Sequence, residues 1–152
     1  QRKRIIKAAC LLHDVSWRAH PDYRGEITFD NATRANLGGL KHYERVILGL
    51  SLLYRYQNKR GGAHLDPLYA MLDAVQIREA EVLGRAMRLG AMLWLNVDKA
   101  PGKIKWKPKK RELTLILAHE ARPLFGEVAE ARLASLTEAL GATTKVKFEK
   151  PA

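Results

Sequence analysis

A single cysteine, Cys10, is all the thiol chemistry this 152-residue chain carries. No intramolecular disulfide can staple it, so its core must be built from packing. Cys10 lies in an apolar helical run and reads as a small, buried, inert core residue. Long apolar stretches are missing too, since nothing approaches the roughly 18 consecutive apolar residues of a bilayer-spanning helix. The start lacks the charged, apolar and small-residue succession of a secretory signal, and the chain therefore reads as cytoplasmic. Its opening on Gln1, with a helix already under way, points to a fragment cut from a longer protein. Phosphate-cradling loops are absent as well, because Gly38-Gly39 and Gly61-Gly62 lack the lysine and spacing of a strand-to-helix phosphate loop. Acid is scarce: 16 Asp and Glu stand against 27 Lys and Arg, leaving a net charge of +11. Such an excess concentrates polyanions and speeds their capture without choosing among nucleic acid, polyphosphate and acidic membrane.

What the chain has is apolar periodicity, with 47 % of its residues hydrophobic. Ile5, Ile6, Ala8, Ala9, Cys10, Leu11 and Leu12 predict a buried run on a helix over 2–15, with Arg2, Lys3, Arg4 and Lys7 on its wet side. A second helix is expected over 26–38, stopped by Gly38-Gly39, and a third from Lys41 to Gln57. Asp66-Pro67 reads as an N-cap and first-turn pair opening a fourth helix through Leu68, Met71, Leu72, Val75 and Ile77. Residues 79–97, apolar nearly all round in their second half up to Val97, predict a central, well-buried fifth. Residues 1–98 are thus an all-α domain.

At Asp98-Lys99-Ala100-Pro101-Gly102 the apolar spacing drops from helical to two, which places a boundary there. Ile104 and Trp106 alternate with Lys103, Lys105 and Lys107, and Leu113, Leu115 and Leu117 follow the turn Pro108-Lys109-Lys110-Arg111. These are two strands of a hairpin whose lysines read as solvated guards of a sheet edge. An amphipathic helix over 124–140, stopped at Gly141, and a strand with Val146 and Phe148 make residues 99–152 a small α/β unit of ββαβ order. This unit is the more basic part, with 12 Lys and Arg against 6 Asp and Glu, compared with 15 against 10 before it.

The chemistry concentrates in His13 to Glu26, where Pro21 and Gly25 stop helix propagation and a loop carries Trp17, Arg18, His20, Tyr23 and Arg24. Guanidinium forks, imidazole donors and aromatic faces in one short loop suit anions, phosphate above all. Lys59, Arg60, Arg85 and Arg88 are candidates to extend that basic track. His13 and Asp14 form an adjacent His-Asp pair, which reads either as a metal-ligand remnant or as a structural, anion-contacting histidine. No role follows for His42, His64 or His119.

The run Ala8-Ala9-Cys10-Leu11-Leu12-His13-Asp14-Val15-Ser16-Trp17-Arg18-Ala19-His20-Pro21-Asp22-Tyr23-Arg24-Gly25-Glu26 closely resembles the C-terminal helical region of the exopolyphosphatase and guanosine pentaphosphate phosphohydrolase family, Ppx/GppA. Lys41-His42-Tyr43-Glu44-Arg45, Tyr54-Arg55-Tyr56 and Arg85-Ala86-Met87-Arg88-Leu89-Gly90 are similar as well, and with the ββαβ tail the resemblance covers essentially the whole chain. It implies an HD-like helical domain followed by a small C-terminal α/β unit, from a bacterial hydrolase that forms a homodimer. It also implies that catalysis, with Mg²⁺ and a carboxylate base, belongs to an N-terminal actin-like domain outside this sequence. The chain would then hold inorganic polyphosphate, and guanosine tetra- or pentaphosphate as a further candidate, without a catalytic residue or metal of its own. In the pattern of active HD enzymes Ala91 would be followed by Asp, and this chain has Met92 there. Two other readings stand beside this one: an autonomous HD-type metal-dependent phosphohydrolase using His13 and Asp14, and a basic nucleic-acid-binding module, for which no RNA or DNA motif is present.

Overall fold

A computed structural model of the chain describes residues 2–94 and 98–151. Among the described residues it is mostly helical, with a small three-stranded sheet near the C-terminal end. Two compact units emerge, Gln1–Met87 and Arg88–Ala152. The compositional change after Asp98 is a different quantity, marking where helical spacing gives way to strand spacing.

In the first unit the helices are α1 (Arg2–Leu12), α2 (Arg24–Arg34), α3 (His42–Tyr56) and the single turn α4 (Asp66–Tyr69). The helix α5 (Ala74–Leu93) carries the division between the units. The organising helix is α3, in which every residue from Val46 to Tyr54 is buried. Phe29 of α2 and Leu48, Leu50, Leu52 and Leu53 of α3 are among the largest fully buried side chains. Truncating any one of them to Ala would cost roughly 2–5 kcal/mol. Two glycines set how closely helices approach α3. A Cβ on Gly49 would stand 2.9 Å from Thr33 Cγ2 on α2, and one on Gly84 would stand 2.4 Å from the Ser51 carbonyl oxygen and from Tyr54 Cβ. The N-terminus of α3 is held by Glu44, fully buried, whose Oε2 accepts from the Lys41 amide at 2.7 Å while Arg4 donates to Oε1 at 3.3 Å. That anion satisfies orphan donors of the first turn and favours the positive end of the helix dipole.

Several sequence expectations change here. On α1 only Ile5 and Ala9 are buried, while Ile6, Cys10 and Leu11 are exposed. Cys10 is therefore not a core residue: it falls on the outward stripe of a helix that buries a narrower face than its composition suggests. The helix also ends at Leu12, and His13 to Trp17 continue as turns. The second helix begins at Arg24, ahead of the expected Glu26, because a 3₁₀ turn over Pro21–Tyr23 leads straight into it. It stops at Arg34, where Ala35 turns extended before the glycines are reached. The expected fourth helix breaks after one turn. Asp73 accepts from the Gln76 amide at 2.8 Å while Gln76 Oε1 accepts from the Asp73 amide at 2.9 Å, a reciprocal cap that starts α5 at Ala74. Val75 and Ile77 therefore belong to α5. The second half of α5 is mostly half-buried, with Gly84, Leu89 and Leu93 buried, so it is not the well-buried helix expected; in the first unit that part falls to α3. Val97, expected to close the fifth helix, lies outside the described residues.

In the second unit β1 (Gly102–Lys107) pairs antiparallel with β2 (Glu112–Leu117), and β3 (Thr143–Phe148) pairs parallel with β2 after α6 (Glu127–Leu140). The strand order β1-β2-β3 puts β2 in the middle. Leu113, Leu115 and Leu117 of β2 are buried, as are Ala129, Leu133 and Leu136 of α6. The helix α6 starts at Glu127 and not at the expected Leu124, which ends a 3₁₀ stretch over His119–Leu124; Phe125 and Gly126 are non-helical. Gly141 ends α6 in the left-handed region, at φ 57°, where glycine carries no Cβ penalty. Arg111 covers the same helix end: its Nε donates to Gly141 O at 2.9 Å and its Nη2 to Leu140 O. A cation on the last carbonyls favours the negative end of the helix.

Candidate anion-binding surfaces

The loop from His13 to Tyr23 is shaped by two internal clamps. Arg24, at the start of α2, reaches back so that Nε donates to Ala19 O at 2.9 Å and Nη2 to Trp17 O at 2.7 Å. Below it, Thr28 Oγ1 lies 2.7 Å from both Arg24 O and the Ser16 hydroxyl, which is buried; Thr28 donates to the carbonyl and Ser16 to Thr28. His20 uses Nδ1 as an acceptor for the Asp22 amide at 3.3 Å, so one side of its ring caps the 3₁₀ turn. Arg18 is exposed, with its guanidinium 5.0 Å from the Trp17 ring centroid. Trp17 and Tyr23 are themselves well exposed, at 56 % and 61 %.

The His-Asp pair sits against the C-terminal end of α3. Tyr56 donates its hydroxyl to the His13 carbonyl. Burial raises the Tyr56 hydroxyl above its ordinary range; the neighbouring Asp14 carboxylate adds to the rise, and Arg55 and Arg24 oppose it. Arg55 also stacks over the Tyr56 ring at 4.8 Å. Asp14, Arg24, Arg55 and Tyr56 thus share one corner, and the sequence reading did not connect Arg55 or Tyr56 with the loop. No periodic signal joins positions 14 and 56, and only the fold of α1 against α3 brings them together.

The other expected cations are placed as follows. Lys59 is exposed. Arg60 pairs with Asp66 at 2.6 Å and lies over the Tyr69 ring at 4.1 Å. Arg85 pairs with Glu81 at 2.5 Å with its side chain only 12 % exposed. Arg88 belongs to the second unit, where its carbonyl accepts from Arg132 Nη1 at 3.0 Å. Among the described residues, no group of three or more His, Cys, Asp and Glu side chains could hold a metal. The described part of this chain therefore offers no such ligand set for the Mg²⁺ that the family resemblance implies.

The register of the sheet builds a second basic surface. Lys103 opposes Ile116 and Ile116 opposes Lys147; Lys105 opposes Thr114 and Thr114 opposes Lys145; Lys107 opposes Glu112. Alternation along strands puts all of these on one face, with Ile104, Trp106, Leu113, Leu115, Leu117, Val146 and Phe148 on the other. The five lysines are exposed, whereas Thr114 between them is 4 % exposed, as expected where lysine stems lie over a central strand. Glu112 is tied to Lys145 at 2.8 Å and Lys107 at 3.2 Å, and Glu149 stands 3.9 Å from Lys103. Hydrogen bonds from Lys145, then from Lys107, hold the Glu112 carboxyl below the usual carboxylate range. The period-two lysines at 103, 105, 107, 145 and 147 were visible in the sequence; that β1 and β3 flank β2 with their lysines on one face was not.

A mostly helical unit joined to a small α/β unit with a lysine-lined sheet face is the class of protein these features define. No helix among the described residues is long and apolar enough to cross a membrane. The chain belongs to the exopolyphosphatase C-terminal domain family, whose model matches residues 1–148. No curated protein matches it.

Proposed function

We propose that this chain is the polymer-holding part of an exopolyphosphatase: it retains an inorganic polyphosphate chain by charge while an N-terminal catalytic domain of the same protein removes the terminal phosphate. The family supports this reading, and the observation that carries it is unneutralised basic charge in each unit. Arg18 and Lys59 in the first unit, and Lys105 and Lys147 in the second, stand exposed with no acidic partner among the described residues. Arg18 keeps its fork available above Trp17 and is the member of the loop best placed to take two oxygens of one phosphate. Arg24 and His20 act on the loop itself, and through it position Arg18. Guanosine tetra- and pentaphosphate offer the same charged phosphates and are the second ligand class to try.

The test has two arms on the full chain. Titration with long-chain polyphosphate at several salt concentrations should give binding that weakens as salt rises, with a slope set by the phosphates contacted. Incubation with the same polymer and Mg²⁺ or Mn²⁺ should release no phosphate. Absence of binding at low salt overturns the proposal, and turnover on the order of 1 per second would favour the autonomous phosphohydrolase.

A further inference from the structure

We propose that the lysine face of the β1-β2-β3 sheet is a second polyanion track, suited to a linear phosphate polymer without bases and throttled by Glu112; this rests on the phosphate-holding reading above. The geometry is that of a trough. Lys103, Lys105 and Lys107 form one wall on β1, Lys145 and Lys147 form the other on β3, and Thr114 and Ile116 of β2 form the floor. Strands spaced about 4.8 Å apart put the walls roughly 9.5 Å from each other at the backbone, and alternate lysines on one strand recur about every 6.7 Å. A polymer laid along β2 would meet ammonium groups on both sides at a regular repeat.

Two features choose the ligand class. The aromatic side chains of these strands, Trp106 and Phe148, are on the opposite face, so the trough offers no surface for base stacking, which contributes much of single-stranded nucleic acid binding. All five cations of the trough are lysines, point charges that neutralise oxygens without fixing a bidentate geometry, as a repeating and featureless polymer requires. Edge protection alone would not need this density: every open-face position on the two edge strands except Thr143 is lysine.

Glu112 closes one end of the trough. It holds Lys107 and Lys145 in ion pairs, so an arriving phosphate must compete with a resident carboxylate for two of the five lysines. Lys105 and Lys147 have no acidic partner among the described residues and are the first to be engaged.

The experiment measures affinity and salt slope of the full chain for short linear polyphosphate, with an oligodeoxynucleotide of equal charge in parallel. The double variant Lys105→Gln/Lys147→Gln is compared with Lys109→Gln/Lys110→Gln, which removes the same charge from the exposed turn after β1, and with Glu112→Gln. All these lysines are exposed, and thermal unfolding checks that each variant folds. The expected result is a severalfold loss and a slope shallower by about 1.4 to 1.8 for the Lys105/Lys147 pair, a smaller change for the turn pair, and tighter binding for Glu112→Gln. Equal losses from the two pairs would mean that only net charge matters, and would overturn the track. So would unchanged binding in the Lys105/Lys147 variant with more aggregation, the signature of mere edge protection, or tighter binding of the oligonucleotide than of polyphosphate. If Lys105/Lys147 is silent while Arg18→Ala abolishes binding, the track falls and the polymer-holding function stands; if the unaltered chain binds no polyphosphate, the function itself falls.

Discussion

Arg24 separates two accounts of the loop, one in which it grips phosphate and one in which it fixes the backbone that carries Arg18. Its Nε and Nη2 both donate to loop carbonyls, those of Ala19 and Trp17, the first in a half-buried setting and the second exposed. A hydrogen bond from a charged donor contributes more than the ordinary 1 kcal/mol when sheltered and less when exposed, so Arg24→Ala should destabilise the first unit by about 2 kcal/mol. Arg24→Lys retains the charge and can remake one contact but not the fork, which leaves a loss of about 1 kcal/mol. In a unit of this size each kcal/mol lowers Tm by about 4 to 8 °C. The assay is thermal unfolding of both variants beside polyphosphate titration at a temperature where all are folded. The clamp account expects Tm to fall in the order wild type, Lys, Ala, with Arg24→Lys binding weakened no more than its loop is loosened. An unchanged Tm with a large loss of affinity in Arg24→Lys would refute it and return Arg24 to the ligand.

Three further outcomes check the packing and electrostatics. Gly84→Ala sets a methyl against the Ser51 carbonyl and Tyr54 at 2.4 Å, backbone that cannot swing aside, and should cost about 1–3 kcal/mol in a denaturant melt. Asp73→Ala removes the side-chain acceptor that starts α5 and should cost about 1 kcal/mol, with Asp73→Asn losing much less; equal losses would contradict the capping role. Because the Glu112 carboxyl is held below its ordinary value of 4.5, it contributes stability above that pH which disappears as pH falls through the depressed value. Unfolding curves of wild type and Glu112→Gln should therefore differ near neutral pH and converge under acid, and a constant gap across pH 3 to 7 would show that the two lysine contacts are energetically silent.

Much of the architecture was legible because it rests on local signals. Helical spacing found the first three helices and the fifth, alternation found all three strands, and Gly141 marked the end of α6. What escaped was decided by competition between neighbours. Asp73 and Gln76 cap each other and break what reads as one helix through Ile77. On α1 the apolar run Ile5 to Leu12 is wider than the stripe the helix buries, which leaves Ile6, Cys10 and Leu11 outside. The loop was recognised as a cluster of donors, yet the allocation of those donors needs coordinates: Arg24 and Arg60 have partners within the chain that no spacing rule announces, whereas Arg85 pairs with Glu81 one helical turn before it, as i,i+4 spacing allows, and Arg18 differs from them only in what lies near it. The lysine trough was hidden for the opposite reason, since its two walls come from segments separated by α6 and meet only through the parallel pairing of β3 with β2.

The central claim, that this chain holds a phosphate polymer by charge, is tested most directly by titrating the full 152-residue chain with linear polyphosphate across a salt series. The account predicts saturable binding whose logarithmic affinity falls linearly with the logarithm of salt, each phosphate engaged contributing about 0.7 to 0.9 to the slope. Binding that ignores salt, or no binding at low ionic strength, would contradict it.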